Sequence, residues 1–414
     1  MGRQGRLRGV DRTRRGAETG GGRPGTGEGV RVTEHHRHHH RHHQSVLAAA
    51  DEATDALELF SRVSARLRRL VPFDSAVWTA ADPDTGLITA PMLVESLGQG
   101  EGCAAYWRSE LLEENVLPFR ELARAAVPAA GLRAATGDLP ARSSRFRRLL
   151  RDQGMYDELR AVFQIGERPW GLLSLFRTAE SFDSRETALL AGLSLPLAER
   201  LRTFARPTVT ARGTDSPAPG LILFDENGEA TSVNEEARHH LARLPKGPSF
   251  PTALGLELPI WVIGAALQAR AVTTGHDRGS ARVRIRTTEG RWLTCHASSL
   301  TGAGGGPGPV ALVIEPATPA DLAVLVAEAY GLTPRELEIT QLTARGLTTA
   351  EIATTLFISP HTVRDHLKTV FTKAGVASRG ALVARLFTDH YWPAMPESAE
   401  VRRPGRPSVW ARAV

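Results

Sequence analysis

Four helix starts and stops between residues 332 and 390 constrain this 414-residue chain more than anything else in it. The segment reads LTPRELEITQLTARGLTTAEIATTLFISPHTVRDHLKTVFTKAGVASRGALVARLFTDH. Thr333 stands before Pro334, with Glu336 three residues on: a capping box with proline at the first helical position. Gly346 supplies the left-handed residue that ends this helix. Thr348 and Glu351 repeat the capping box, Ser359-Pro360 restart the chain for a third helix, Gly375 stops it, and Ser378 can cap a fourth. The expectation is an all-α unit of four short helices.

The third helix has two unlike faces. Val363, Leu367, Val370 and Ala374 recur at helical spacing and are expected to pack on the other helices. His361, Arg364, Asp365, Lys368 and Thr372 fall on the opposite side. A buried stripe backed by a basic, hydrogen-bonding stripe near the N-terminus suits the major groove of DNA. The plainer alternative is a small helical bundle whose charged face is merely solvated. Three capped helices in helix-turn-helix order favour the DNA reading.

The segment resembles the LuxR-type helix-turn-helix of bacterial transcription regulators. The resemblance is carried by Leu332 to Glu336, Gly346-Leu347, Glu351 to Ala353, Leu356, Ile358-Ser359, Thr362-Val363, His366-Leu367, Phe371, Lys373, Gly375-Val376 and Arg379. It implies that residues after the Thr-Val pair read bases, here Arg364, Asp365 and Lys368. It places phosphate contacts at Thr349, Ser359, His361, Thr362 and Lys373, and dimer contacts on the fourth helix at Leu382, Val383 and Leu386. Asp365 departs from many relatives, which are neutral or basic there; it either accepts from a cytosine amine or pairs with a neighbouring cation.

Charge adds little. The calculated pI of 9.9 and net charge of +6 come from the first 43 residues, which hold ten arginines against Asp11, Glu18, Glu28 and Glu34. Of the three lysines in the chain, Lys246, Lys368 and Lys373, two lie in the third helix. Cys103 and Cys295 are far apart and lack metal-ligand spacing, which excludes a disulfide framework and fits a reducing cytosol. The best apolar stretch, Ala253 to Leu267, is interrupted by Glu257 and Pro259 and is too short for a membrane span. No secretory signal is read at the N-terminus. The expected location is cytoplasmic, with no membrane contact.

The chain length predicts about three domains. Residues 1–44 read as a disordered Gly/Arg/His-rich tail; its histidine run His35 to His43 lacks anything to fix metal geometry, and Val30 and Val32 are alternative start points. Residues 45–205 begin with an amphipathic helix, Val46 to Leu70. Two strand pairs follow, at Ser75–Thr79 with Leu87–Thr89 and at Asp157–Gln164 with Trp170–Arg177. Helices lie between them, and a closing helix runs from Ser184 to Phe204. By layout, with LVPFDSAVW and RPWGLLSLFR as its clearest pieces, this resembles a GAF domain. After a linker, 206–219, residues 220–316 show a strand pair around Glu226 to Glu229. A helix from Asn234, a hairpin across Glu289-Gly290 and a last strand at Val310–Ile314 complete the pattern, which resembles a PAS domain. Residues 317–330 read as a connecting helix, 331–392 as the DNA module and 393–414 as a tail.

No Walker, HExxH, GxSxG or Cys-His nucleophile pattern is present, and Lys246 alone before the DNA module argues against a phospho-receiver. His239, His240 and His276 are either haem ligands or, more commonly, hydrogen-bonded or surface histidines. Cys295 is either a redox or flavin-adduct residue or an inert buried thiol. Trp107, Trp170, Trp261 and Trp292 either line a ligand pocket or are plain core. The expected whole is an α+β multidomain chain that is not an enzyme: GAF-like and PAS-like sensor domains followed by an all-α four-helix LuxR-type helix-turn-helix. Its expected partners are double-stranded promoter DNA, a second copy of itself, a small-molecule effector at a sensor domain and RNA polymerase, with no cofactor and no metal. A signalling enzyme or ligand-binding adaptor is the other reading, and a third makes the N-terminal domains scaffolds without ligand.

Overall fold

The computed structural model describes residues 41–97, 101–205, 218–302 and 306–386. Expectations for residues 1–40, 206–217 and 387–414, and for the side chains of Cys103 and Leu386, lie outside the described residues.

The first sheet contains β1 (Ser75–Ala81), β2 (Ile88–Glu95), β3 (Ala129–Gly131), β4 (Asp157–Ile165) and β5 (Arg168–Arg177). It is antiparallel, in the order β2-β1-β5-β4-β3. Every residue of β1 is buried, because both faces of the sheet are covered. Side chains alternate along a strand, so each face takes every second residue. Trp78, Phe163, Leu173 and Leu175 pack with α1 (Ala56–Leu67) and the long α3 (Ser184–Phe204). Val77, Val162, Leu172 and Phe176 face the other way, toward Tyr106 and Trp107 of α2 (Glu101–Leu112) and a core they share with residues 222–314.

The single helix expected over Val46 to Leu70 is divided. Residues 43–51 are helical, the chain breaks, and α1 restarts at Ala56. Asp55 is the reason: its carboxylate accepts from the Glu58 N–H at 2.8 Å, and the Thr54 N–H donates to Glu58 Oε2 at 2.8 Å. Short polar side chains satisfy free N–H groups at a helix start and compete with helix continuity.

The second sheet contains β6 (Gly220–Phe224), β7 (Ala230–Val233), β10 (Arg282–Arg286), β11 (Trp292–Thr301) and β12 (Pro307–Pro316), in the order β10-β11-β12-β6-β7. A small separate hairpin pairs β8 (Ser249–Pro251) with β9 (Glu257–Pro259). Counted within its own sheet, each five-stranded sheet runs second-first-fifth-fourth-third. The two sheets therefore repeat one topology. Between β7 and β8 lies α4 (Glu235–Ala242), capped by Asn234. The apolar α5 (Ile260–Thr273) is almost wholly buried, against the second sheet on one side and α2 and β2 on the other.

The last strand leads into α6 (Pro319–Ala329). Thr318 and Asp321 close its start reciprocally: Thr318 N–H donates to Asp321 Oδ2 at 2.9 Å and Asp321 N–H to Thr318 Oγ1 at 3.2 Å. Leu322, Leu325, Tyr330 and Leu332 join the core that includes α3. Gly331, at φ +64°, turns the chain. Its N–H donates to Glu328 O and that of Leu332 to Ala327 O, at 2.9 and 2.7 Å. Only residues 330–333 separate α6 from the C-terminal helices.

Candidate nucleic-acid interface

The C-terminal helices are α7 (Pro334–Ala344), α8 (Thr349–Leu356), α9 (Pro360–Ala374) and α10 (Arg379–Leu386). Their starts follow the local sequence. Thr333 with Glu336 and Thr348 with Glu351 each form a reciprocal capping box. Ser359 caps α9 by accepting from the Thr362 N–H at 3.1 Å, and Ser378 Oγ accepts from the Ala381 N–H at 3.2 Å. Gly375 ends α9 at φ +65°, as expected of a left-handed stop.

Ile339, Ile352, Ala353, Val363 and Leu367 make a core of their own, which fixes α8 and α9 across the helix-turn-helix. Two arginines brace the turns. Arg335 donates to Leu356 O at 2.6 Å, and Arg379 donates to Leu347 O. Neither bracing role was read from the sequence, because each joins a side chain to a carbonyl many residues away.

The turn between α8 and α9 holds an unusual residue. Phe357 adopts φ +54°, the left-handed region, and its side chain is 94% exposed. A β-carbon resists this conformation, which glycine or asparagine tolerates better.

The outer face of α9 carries the expected polar side chains. Arg364, Asp365 and Lys368 are exposed, within the first two to three turns of the helix. Arg364 makes no hydrogen bond or ion pair among the described residues. Asp365 is engaged: its Oδ2 lies 2.9 Å from His361 Nδ1 and its Oδ1 4.0 Å from Lys368 Nζ. Of the two roles open to it, pairing with neighbours is the one its geometry displays. Ser359 and Thr362 sit together at the start of α9, their hydroxyls 2.8 Å apart, and Thr349 is half-buried at the start of α8. Lys373 lies two turns beyond Arg364 and points inward, its Nζ 2.6 Å from Glu336 Oε2. An ammonium has three donors, so this pairing leaves two for another acceptor.

The fourth helix differs from expectation. Leu382 is only 1% exposed, in the same core as Leu332, Val370 and Ala374. It holds α10 to α7 and α9 within one chain and does not present itself to a partner as the head stands. Val383 is half-buried beside it. The sequence shows the apolar stripe of α10 but not which body covers it.

For Cys295 and His240 the open alternatives resolve toward packing. Cys295 is fully buried, and burial pushes its thiol up to about 12. His240 is buried with Nε2 3.2 Å from Ala218 O, and burial holds it below the usual histidine value. Among the described residues no group of three His, Cys, Asp or Glu could hold a metal ion, and no helix is long and apolar enough to cross a membrane.

Residues 331–386 match the family model of bacterial regulatory proteins of the luxR family. The spore germination protein GerE of Bacillus subtilis is 46% identical over 55 residues, spanning 13% of this chain and 74% of that relative. Among solved structures, a Vibrio cholerae VqmA–ligand–DNA complex is 17% identical over 45% of this chain and 89% of that one, with a TM-score of 0.21. A Stigmatella aurantiaca phytochrome photosensory core module is 15% identical over 41% of this chain and 37% of its own, with a TM-score of 0.27. TM-scores this low do not carry a common architecture.

Proposed function

The chain belongs to the luxR family of bacterial regulatory proteins, and we propose that it is a sequence-specific transcription regulator whose N-terminal domains, GAF-like and PAS-like, modulate promoter binding. The observation that carries the reading is the exposed face of α9, where Arg364 stands without a partner among the described residues beside Asp365 and Lys368, in the N-terminal half of a helix placed as the one that enters the major groove in helix-turn-helix proteins. In this reading Arg364 and Lys368 read bases, and Asp365 sets their positions or accepts from a base. Thr349, Ser359, His361, Thr362 and Lys373 contact phosphates. The head works in pairs, with Val383 and Leu386 at the contact and Leu382 supporting them from beneath. RNA polymerase and a small effector are the further partners, and the cytoplasm is the place of action.

Selection of bound sequences from random duplexes with the purified full chain tests this. A pseudo-palindrome with half-sites about 10 bp apart is expected, one helical turn between symmetric heads. No enriched sequence would overturn the reading, and a single asymmetric half-site would overturn the symmetric pair.

A further inference from the structure

Between the two N-terminal domains lies a cavity of about 570 Å³, within the size range of small-molecule sites. One wall is α2 and the β1–β2 turn, and the other is α5 with the loop that follows it. Its lining includes Ile88, Trp107, Phe119 and Leu172 from the first domain and Gly264 and Gln268 from the second. Gly264 permits the close crossing, since a β-carbon there would meet Ile88 Cγ1 at 3.3 Å. At the rim, Arg120 Nη1 and Asp277 Oδ2 pair across the domain boundary at 3.1 Å.

The wall holds two unmet demands. Trp107 and Gln268 are each 3% exposed, yet Trp107 Nε1 and Gln268 Oε1 have no hydrogen-bond partner among the described residues. A buried donor or acceptor left unpaired is costly, and native proteins pair the great majority of them. One is a donor and the other an acceptor, beside the apolar side chains of Ile88, Phe119 and Leu172, while Arg120, Arg124, Glu167, Asp277 and Arg278 line the cavity too. Two further charged groups do not offer themselves: Glu110 is bound to Arg145, Arg160 and the Phe119 N–H, and Asp84 to Arg282 and Arg284. Arg124, Glu167 and Arg278 are exposed side chains. The buried stretch of wall around Trp107 and Gln268 therefore suits an uncharged occupant.

From this cavity an ionic chain leads to the helix that carries the C-terminal head. Asp84, in the β1–β2 turn that lines the cavity, lies 2.9 Å from Arg282 Nη2. Arg282 Nη1 lies 3.1 Å from Asp321 Oδ1. Asp321 spends its other oxygen closing the start of α6. One carboxylate thus joins the domain interface to the cap of α6.

We infer that the cavity between α2 and α5 binds a small, uncharged aromatic compound with one hydrogen-bond acceptor and one donor, and that its occupancy reaches α6 through Asp84, Arg282 and Asp321. The acceptor takes the Trp107 N–H and the donor serves the Gln268 carbonyl, while the ring lies against Ile88, Phe119 and Leu172. A ligand shifts an equilibrium only by binding two states unequally, and this one does so by holding the two domains at one separation.

The test uses the full chain without DNA, so that its outcome is independent of the proposed regulator role. Calorimetric titration with benzamide and 2-naphthamide, which carry both groups, is compared with naphthalene, which carries neither. Both amides are expected to bind more tightly than naphthalene, and Trp107→Phe and Gln268→Leu are each expected to weaken them about tenfold. Trp107→Phe keeps a ring in place, so a loss there reports the N–H and not the packing. Bound amide is expected to slow hydrogen exchange in 319–329, and Arg282→Met to abolish that slowing without loss of affinity. Absence of binding by both amides, equal binding of naphthalene, or indifference to both wall substitutions overturns the site. Unchanged exchange in α6 of the wild-type chain on binding, or slowing that persists in Arg282→Met, overturns the transmission.

Discussion

Lys373 Nζ lies 2.6 Å from Glu336 Oε2, so the end of α9 is pinned to the cap that starts the head. Glu336 also accepts from the Thr333 N–H at 2.8 Å, and one carboxylate therefore serves two helices. Burial pushes its carboxyl up, but Lys373 and Thr333 outweigh it, and the group sits below its ordinary value of 4.5. The pairing thus contributes fully above pH 4.5 and is lost as pH falls through the depressed folded value. Lys373→Met should leave a buried carboxylate unpaired and destabilise α7 locally by about 1–3 kcal/mol. Hydrogen exchange of the α7 amides in the full chain measures this, and the variant and the wild type should converge in acid. Equal protection at neutral pH would show that the pair contributes nothing.

Arg364→Ala should cost about 1–3 kcal/mol at one base position and relax the preference there, as the loss of a bidentate guanine contact does. Asp365→Asn separates the two roles of that carboxylate. If it only pairs with His361 and Lys368, its removal should tighten binding to all sequences alike, about three- to tenfold at low salt. Relaxed preference at one position instead would make Asp365 a base reader. Binding measured across single-substitution operator variants distinguishes the two.

Phe357 combines a left-handed backbone with a side chain that packs on almost nothing. Phe357→Asn should therefore stabilise the head by about 0.5–1 kcal/mol, since asparagine tolerates that conformation and little packing is lost. Denaturant unfolding of the 325–395 segment, checked first for a folded spectrum, gives the sign. Destabilisation would mean that the ring has a contact the single chain does not show.

Cys295 should be inert. Its thiol is buried and raised to about 12, so almost no thiolate exists at neutral pH. In a Cys103→Ser chain, a thiol reagent should label nothing until denaturant is added. Fast labelling of the folded chain would reopen a redox role for Cys295.

The caps of the head were legible because each is settled within three or four residues: Thr333 finds Glu336 and Thr348 finds Glu351 whatever the rest of the chain does. The strand pairs were legible for the same reason, from alternation and turn residues. The break at Asp55 lay in the sequence too, as a Thr-Asp pair with Glu58 three residues on, but the amphipathic pattern on either side masked it. Other features depend on distant partners. The inward aim of Leu382 is set by Val370 and Leu332, and Trp107 meets Gln268 in one cavity only through the docking of α2 on α5. The connecting helix was visible, whereas its Thr318–Asp321 cap and Arg282 as the partner of that cap were not read. For DNA recognition, the face of α9 was readable, but the engagement of Asp365 and Lys373 was not.

The turn at Gly331 leaves four residues between α6 and the head. A head on a long, loose tether samples many positions and accepts many half-site separations, at the expense of effective concentration. Here the chain has no slack. In a symmetric pair the reach from one α9 to the other would be set by the bodies that precede the heads, as the legs of a caliper are set by its joint. A few ångströms of movement at α6 would then decide whether a given half-site spacing is accepted, and inserting or deleting base pairs between half-sites would report the resting gap of the instrument directly.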